Sequence, residues 1–140
     1  MYQFSKKSIE QLNTCHSDLV TIMMVALSVS DIDFSITEGY RSDEKQKEDF
    51  ESGASKVLKG KHNYHPSLAC DIAPYYDNGI KWEKEHASYL AGVIHAVSEL
   101  LFKEGKITHK IRWGGNWDMD GIILLDQSLD DRPHFELING

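Results

Sequence analysis

The sequence is poor in cysteine and in long apolar runs. Only Cys15 and Cys70 occur among its 140 residues, which is too few for a framework of disulfides. No apolar run approaches the roughly 18 to 20 residues that a membrane-spanning helix requires. Residues 1–12 also lack the apolar stretch of about 7 to 15 residues and the small-residue cleavage site of a signal peptide. We therefore expect a chain that is made in a cytoplasm and does not insert into a membrane.

Positive charge is also scarce. The chain has 15 Lys and Arg against 22 Asp and Glu, a formal net charge of −7, which argues against binding to nucleic-acid phosphates. Internal repeats, low-complexity segments and long linkers are missing too, so residues from both ends can meet in one site. The length suits one domain over residues 1–140. Histidine is plentiful, at seven residues, and this directs attention to metal binding.

Hydrophobic periodicity predicts a mixed fold of helices and strands. Apolar residues at helical spacing predict one or two helices up to about residue 28, with Ser8 as a cap, and a long helix over 84–104 that Gly105 ends. A polar helix is predicted after Ser42. The predicted strands are 34–38, 68–73 with Pro74 as its end, 107–113, 121–125 and 134–138. We expect an α+β fold with a small, mainly antiparallel sheet and helices packed on one side.

A buried carboxylate and nearby histidines indicate a zinc site. Asp71 lies among apolar neighbours in a predicted strand, and His62 precedes it by nine positions in a loop. A buried carboxylate needs a partner, and Zn²⁺ accepts imidazole nitrogen and carboxylate oxygen at about 2.0 to 2.2 Å. His134, in the last predicted strand, can supply a third ligand, and a catalytic zinc leaves its fourth position for water. His65 is an alternative to His62, because it lies in the same loop.

Two further residues are candidates for chemistry beside such a metal. Asp131 stands three residues before His134 and can lie near the ion without binding it, as a general base requires. Arg41 follows a predicted strand and can hold a substrate carboxylate or a developing oxyanion. A surface ion pair with an acidic neighbour is the alternative for Arg41. Glu136, two residues after His134, is a second candidate for the base.

The remaining residues with possible chemistry have simpler interpretations. Surface or helix-packing roles are expected for His16, His86, His95 and His109. Strand alternation directs Cys70 to the face opposite Asp71, and a neighbouring carboxylate raises the pKa of a thiol, which disfavours a cysteine nucleophile. Trp113 and Trp117 stand beside paired glycines, where large aromatics serve equally as a platform for substrate or in ordinary packing.

Four motifs in a fixed order give the sequence a resemblance to a known family. They are G-Y-R-S-x-x-x-Q at 39–46, H-N-x-x-P-S-x-A-x-D-I-A-P-Y at 62–75, R-W-G-G-N-W at 112–117 and D-x-P-H-F-E-L at 131–137. Together they resemble the zinc D-alanyl-D-alanine carboxypeptidases and L-alanyl-D-glutamate endopeptidases, in particular the small single-domain endolysins of bacteriophages. The resemblance implies the hedgehog/D-Ala-D-Ala peptidase-like fold.

The resemblance also implies roles for individual residues. One Zn²⁺ ion would be bound by His62, Asp71 and His134. Asp131 would be the general base, and Arg41 would stabilise the transition state or position the scissile carbonyl. We also expect Gln46, which closes the first motif, and Trp113 to contact substrate. Asn116 stands where an aspartate is common in the family, which leaves substrate contacts near it open.

The expected function is that of a zinc-dependent peptidoglycan endopeptidase. The bond cut would join L-alanine to D-glutamate in the stem peptide, and the chain would act as a monomeric phage endolysin. Made in the host cytoplasm, it would reach the periplasmic peptidoglycan after another protein permeabilises the membrane. Two alternatives stay open: a D-alanyl-D-alanine carboxypeptidase, and a non-catalytic cell-wall binding module with a structural zinc.

Overall fold

A computed structural model describes residues 1–54, 59–121 and 131–140. Its elements are helices α1 (Lys6–Leu12) and α2 (Ser17–Val29), strand β1 (Phe34–Glu38), helix α3 (Asp43–Ser52), a short 3₁₀ helix (Lys61–Asn63), strands β2 (Ala69–Tyr76) and β3 (Gly79–Ile80), helix α4 (Lys84–Lys103), and strands β4 (His109–Gly114) and β5 (Asp131–Asn139). The sheet order is β1-β2-β5-β4, with β3 paired to β2, and all the paired strands are antiparallel. This confirms the predicted α+β fold. No helix within the described ranges is long and apolar enough to cross a membrane.

The hydrophobic core lies between one face of the sheet and the helices α2 and α4. Alternate strand residues such as Cys70, Ile72 and Phe135 belong to the buried core cluster. The helices contribute Leu19, Ile22, Leu90 and Ile94, which are fully buried. Because successive strand residues point to opposite faces, Asp71 and His134 project from the other side of the sheet.

Helix boundaries follow local capping. α1 begins after Ser5, whose hydroxyl accepts a hydrogen bond from the Ser8 amide at 3.2 Å, so the cap expected at Ser8 is wrong. The Ser8 hydroxyl instead accepts from the Ile36 amide at 3.0 Å and joins α1 to β1. The caps predicted for the other two helices are confirmed: Ser42 starts α3, and Gly105, at φ 74°, follows α4.

Two strands extend beyond their predicted bounds, and both carry site residues. β2 continues through Pro74 to Tyr76, so the end predicted at Pro74 is wrong. Proline cannot donate to a ladder, but the Pro74 carbonyl accepts from the Lys81 amide at 2.8 Å, and this keeps the segment in the sheet. β5 begins at Asp131 rather than at the predicted residue 134. The strand predicted over 121–125 lies, from residue 122 onward, outside the described residues.

Candidate metal centre and active site

Three residues from three segments meet on the face of the sheet away from the core. Asp71 of β2 and His134 of β5 are direct partners across the antiparallel pair, and His62 comes from the 3₁₀ helix. The Asp71 Oδ1 atom lies 3.2 Å from His62 Nε2 and 3.2 Å from His134 Nδ1. One ligand atom from each residue falls within 4.8 Å of the others. These are the three residues that the sequence predicted as metal ligands.

The His62 ring is fixed from behind by a backbone carbonyl. Its Nδ1 lies 2.6 Å from the Gly39 oxygen, and because a carbonyl only accepts, Nδ1 carries the proton and Nε2 is left free for an ion. The backbone at position 39 lies so close to α1 that only glycine fits, since a Cβ there would lie 2.4 Å from the Gln11 carbonyl oxygen. The Arg41 amide also donates to the His62 carbonyl at 2.8 Å. The loop therefore presents one defined nitrogen.

The His134 ring is fixed from behind by a carboxylate. Its Nε2 lies 2.9 Å from Glu136 Oε1, and Arg112 Nη2 donates to the other Glu136 oxygen at 2.6 Å. A carboxylate behind a metal-binding imidazole orients the ring and raises its basicity. Both Glu136 oxygens are thus engaged, one by His134 and one by Arg112. This favours a structural role for Glu136, as the group that orients His134, over the alternative role as general base.

A bulge in β5 shapes the segment that carries Asp131 and His134. Trp113 pairs with Phe135, but the next β4 residue, Gly114, already pairs with Asp131, so the intervening β5 residues are extra. The Trp113 indole donates to the Arg132 carbonyl inside this bulge at 2.7 Å. A Cβ on Gly114 would lie 1.9 Å from the Asp131 carbonyl oxygen, so only glycine permits the approach.

This geometry gives the two tryptophans different positions. Trp113 shares the core face with Phe135, whose ring it stacks against at 6.5 Å, so its place favours support of the bulge over contact with substrate. Trp117 lies beside the predicted metal ligands, with its ring 5.3 Å from that of His134. Position along the sequence alone did not distinguish them, because the face of Trp113 depends on the β4–β5 pairing register and Trp117 lies in the turn after β4.

Asp131 lies close to the three predicted ligands without belonging to their cluster. Burial and the nearby Asp71 carboxylate raise the pKa of Asp131, while His134, His62 and Arg41 oppose that rise. A carboxyl whose pKa is raised is a stronger proton acceptor once ionised. The site therefore holds the carboxylate that the sequence predicted as a general base.

The charges of the cluster favour a bound cation. Burial would raise the pKa of Asp71, but hydrogen bonds from His134 and His62 hold it well below its usual range. Burial would lower the pKa of His134, yet its hydrogen bonds to Asp71 and Glu136 raise it to about 9. Three carboxylates, those of Asp71, Asp131 and Glu136, thus lie near the two imidazoles and make the site negative. The donor set of two nitrogens and one oxygen suits zinc.

Arg41 is oriented toward the cluster by side chains of β1 and α3. Its Nε donates to Glu38 Oε1 at 2.8 Å, a second guanidinium nitrogen contacts the same oxygen, and Nη1 donates to Gln46 Oε1 at 2.7 Å. Its Nη2 lies 4.0 Å from Asp71 Oδ2. Gln46 is almost fully buried, so its position favours orienting Arg41, and the predicted contact of Gln46 with substrate stays a prediction.

The other histidines separate into two groups. His65, the alternative ligand, is exposed and its ring lies 4.8 Å from that of Tyr40, outside the cluster. His16 and His109 were expected on the surface or in helix packing, but the structure brings both to Asp18. The H-x-D spacing at 16–18 was the available signal, and its third member is 91 residues further along the chain from Asp18.

Comparisons with known proteins find similarity to peptidases over nearly the whole chain. The family model described as phage L-alanyl-D-glutamate peptidase matches residues 1–138. The L-alanyl-D-glutamate peptidase of Escherichia phage T5 is 29% identical over 141 residues, which cover 98% of each chain. The crystal structure of the Serratia marcescens L-Ala D-Glu endopeptidase ChiX superposes with a TM-score of 0.77 at 26% identity, covering 97% of this chain and 90% of that one.

Proposed function

The chain belongs to the phage L-alanyl-D-glutamate peptidase family, and on that premise we propose that it is a zinc-dependent peptidoglycan endopeptidase. It cleaves the bond between L-alanine and D-glutamate in the stem peptide and acts as a phage endolysin. The observation that carries the proposal is the meeting of His62, Asp71 and His134 beside Asp131 on one face of the sheet. Residues 1–140 act as one peptidase domain.

The residues present fit a zinc ion. His62 Nε2, His134 Nδ1 and an Asp71 oxygen converge, and each imidazole is held from behind by an acceptor on its other nitrogen. Three protein ligands with an open fourth position are the arrangement of catalytic zinc sites, whereas structural sites usually close with a fourth protein ligand. When bound there, zinc polarises the scissile carbonyl and lowers the pKa of water to about 7.

The protein's own groups carry the proton and the developing charge. Asp131 accepts a proton from the attacking water and later donates it to the departing nitrogen of D-glutamate, so the base of the first step becomes the acid of the second. Arg41, held by Glu38 and Gln46, supplies a fixed positive charge for the oxyanion of the tetrahedral intermediate or for a substrate carboxylate.

Mass spectrometry of purified peptidoglycan after digestion tests the bond and the metal together. The full chain is incubated with peptidoglycan as purified, after chelation, and after chelation followed by Zn²⁺. We expect fragments with a new C-terminal L-alanine and a new N-terminal D-glutamate, which disappear on chelation and return with Zn²⁺. Release of terminal D-alanine alone would assign a carboxypeptidase, and no cleavage by zinc-loaded protein would assign a binding module.

The release route is proposed from the substrate. Peptidoglycan lies outside the cytoplasmic membrane, and no helix in the described part of the chain can span that membrane. We infer that the enzyme, made in the host cytoplasm, reaches the periplasmic peptidoglycan through a lesion made by another protein. Expression of the protein inside host cells tests this: the cells should lyse only when their cytoplasmic membrane is also permeabilised, and lysis without permeabilisation would contradict the proposed route.

A further inference from the structure

We propose that His16, Asp18 and His109 form a second binding site for a divalent transition-metal ion, with Zn²⁺ as the best-suited ion, which joins the start of α2 to the start of β4. The site is separate from the cluster of His62, Asp71 and His134, and the inference does not rest on the proposed function. One ligand atom from each of the three residues lies within 4.8 Å of the others. Such spacing lets one small ion contact all three after modest side-chain adjustment.

The geometry of this second cluster centres on the Asp18 carboxylate. His109 Nδ1 lies 2.8 Å from Asp18 Oδ2, and the rings of His16 and His109 meet edge to face with centroids 4.8 Å apart. Asp18 is buried, whereas both histidines are only partly buried. The carboxylate is therefore the most buried member of the cluster, and the two partly exposed imidazoles lie where an ion can approach from solvent.

The carboxylate is fixed and charged before any ion arrives. Asp18 Oδ2 accepts hydrogen bonds from the backbone amides of Thr108 and His109 at 3.0 and 3.2 Å, and from the Thr108 hydroxyl at 3.3 Å. Burial would raise the pKa of Asp18, but the hydrogen bonds from His109 and Thr108 lower it. A preformed anionic ligand avoids the cost of ordering that group at the moment of binding.

The His16 ring is also anchored. Its Nδ1 accepts a hydrogen bond from the Asp18 amide at 2.9 Å and caps α2. This bond holds the ring next to Asp18 in the metal-free protein, and because the acceptor nitrogen of a neutral imidazole has one lone pair, an ion bound at Nδ1 would take the place of the amide donor. Two imidazoles and one carboxylate are a donor set that suits zinc and other borderline ions far better than calcium or magnesium, which prefer oxygen ligands alone.

The position in the fold assigns the second ion a structural role. Among the described residues β4 is an edge strand, and His109 at its start pairs with Asn139, five residues beyond His134 on β5. At about 3.3 Å per residue the two clusters are roughly 17 Å apart along the strand. An ion held by α2 and β4 would clamp the edge strand to the helical layer without touching the substrate.

Zinc binding by the untagged, metal-free, full-length chain tests the proposal. Zn²⁺ is added in steps, free metal is removed by gel filtration, and the bound zinc per chain is measured by elemental mass spectrometry. We expect two ions per chain in the wild type and one in the double variant His16→Asn, His109→Gln. Asn keeps a capping oxygen for α2, and Gln keeps a donor toward Asp18, so both changes preserve the local hydrogen bonds while removing the imidazoles.

A matched control and a spectroscopic measurement sharpen the result. His95→Gln changes an exposed histidine outside both clusters and should leave two ions per chain. With Co²⁺ as the probe, the visible absorption of the wild type should rise over two equivalents, and that of the double variant over one. Each single variant, checked for folding by circular dichroism, should also lose the second equivalent. The same number of bound ions in the wild type and in the folded double variant would overturn the proposal.

Discussion

The two clusters of histidine and aspartate have the same donor set and different surroundings. In the first, carboxylates and a guanidinium lie around the ligands: Glu136 behind His134, Asp131 beside it, and Arg41 near Asp71. In the second, backbone amides hold Asp18. On the roles proposed above, identical ligand types thus lie in one setting that would move a proton and stabilise an oxyanion, and in another that would hold two elements together.

The difference follows from where each cluster lies in the fold. The first is built on two adjacent central strands, where the β5 bulge brings Asp131 next to the ligand His134. The second is built at a helix start and a strand start, where the Thr108 and His109 amides donate to the Asp18 carboxylate. What surrounds the ligands, more than the ligands themselves, decides between catalysis and support.

Removing a ligand from each cluster gives the largest expected contrast. His62→Ala should lower peptidoglycan hydrolysis by more than about a hundredfold, because even the partners behind metal ligands are worth about 10 to 100-fold. His109→Gln should leave hydrolysis unchanged, since the second cluster lies far from the substrate. The release of D-glutamate amino termini measures both rates. Equal losses in the two variants would contradict the separation of roles.

Removing the base without removing a ligand should have the next largest effect. Asp131→Asn should lower kcat by about 10² to 10⁴-fold, the range of general acid–base catalysis, while the zinc content of the protein stays the same. Asp77→Asn, in the exposed β2–β3 turn where φ is 51°, is the control and should have full activity. A folded, zinc-loaded Asp131→Asn enzyme with the wild-type rate would eliminate Asp131 as the base.

The contrast between the clusters also shows what sequence can predict. Asp71, His62 and His134 could be identified because a carboxylate in an apolar strand needs a partner and because the motifs around them resemble a family. The second cluster could not, since His109 meets Asp18 only through the packing of β4 against α2, across 91 residues. Strand alternation placed Cys70 correctly, but the face of Trp113 depends on the β4–β5 register, which periodicity does not supply.

In the metal-free protein, the first cluster should make the free energy of unfolding fall as the pH rises into the alkaline range. His134 has a pKa of about 9 in the folded protein and about 6.5 when unfolded. The proton on His134 therefore stabilises the fold fully below pH about 6.5. This contribution is lost as the pH rises through about 9, a loss of about 3 kcal/mol. Urea unfolding of chelated protein at pH about 6.5 and about 9.5 measures it.

Two comparisons isolate the His134 contribution. The variant His134→Gln should lack this loss, whereas His16→Asn should keep it, because His134 is intact there. Zinc-loaded wild type should also lack it, since zinc binds the neutral imidazole and replaces the proton. The same alkaline loss in His134→Gln would assign the effect to other groups.

The smallest expected effect separates two roles of His16 in the second cluster. His16 Nδ1 caps α2 by accepting from the Asp18 amide, so in chelated protein His16→Ala should lower the free energy of unfolding by about 1 kcal/mol, while His16→Asn, a good cap, should change it little. Urea unfolding measures both. With Zn²⁺ added, the two variants should lose the second ion equally, because neither alanine nor asparagine supplies an imidazole. Equal destabilisation of both variants in chelator would contradict the capping role.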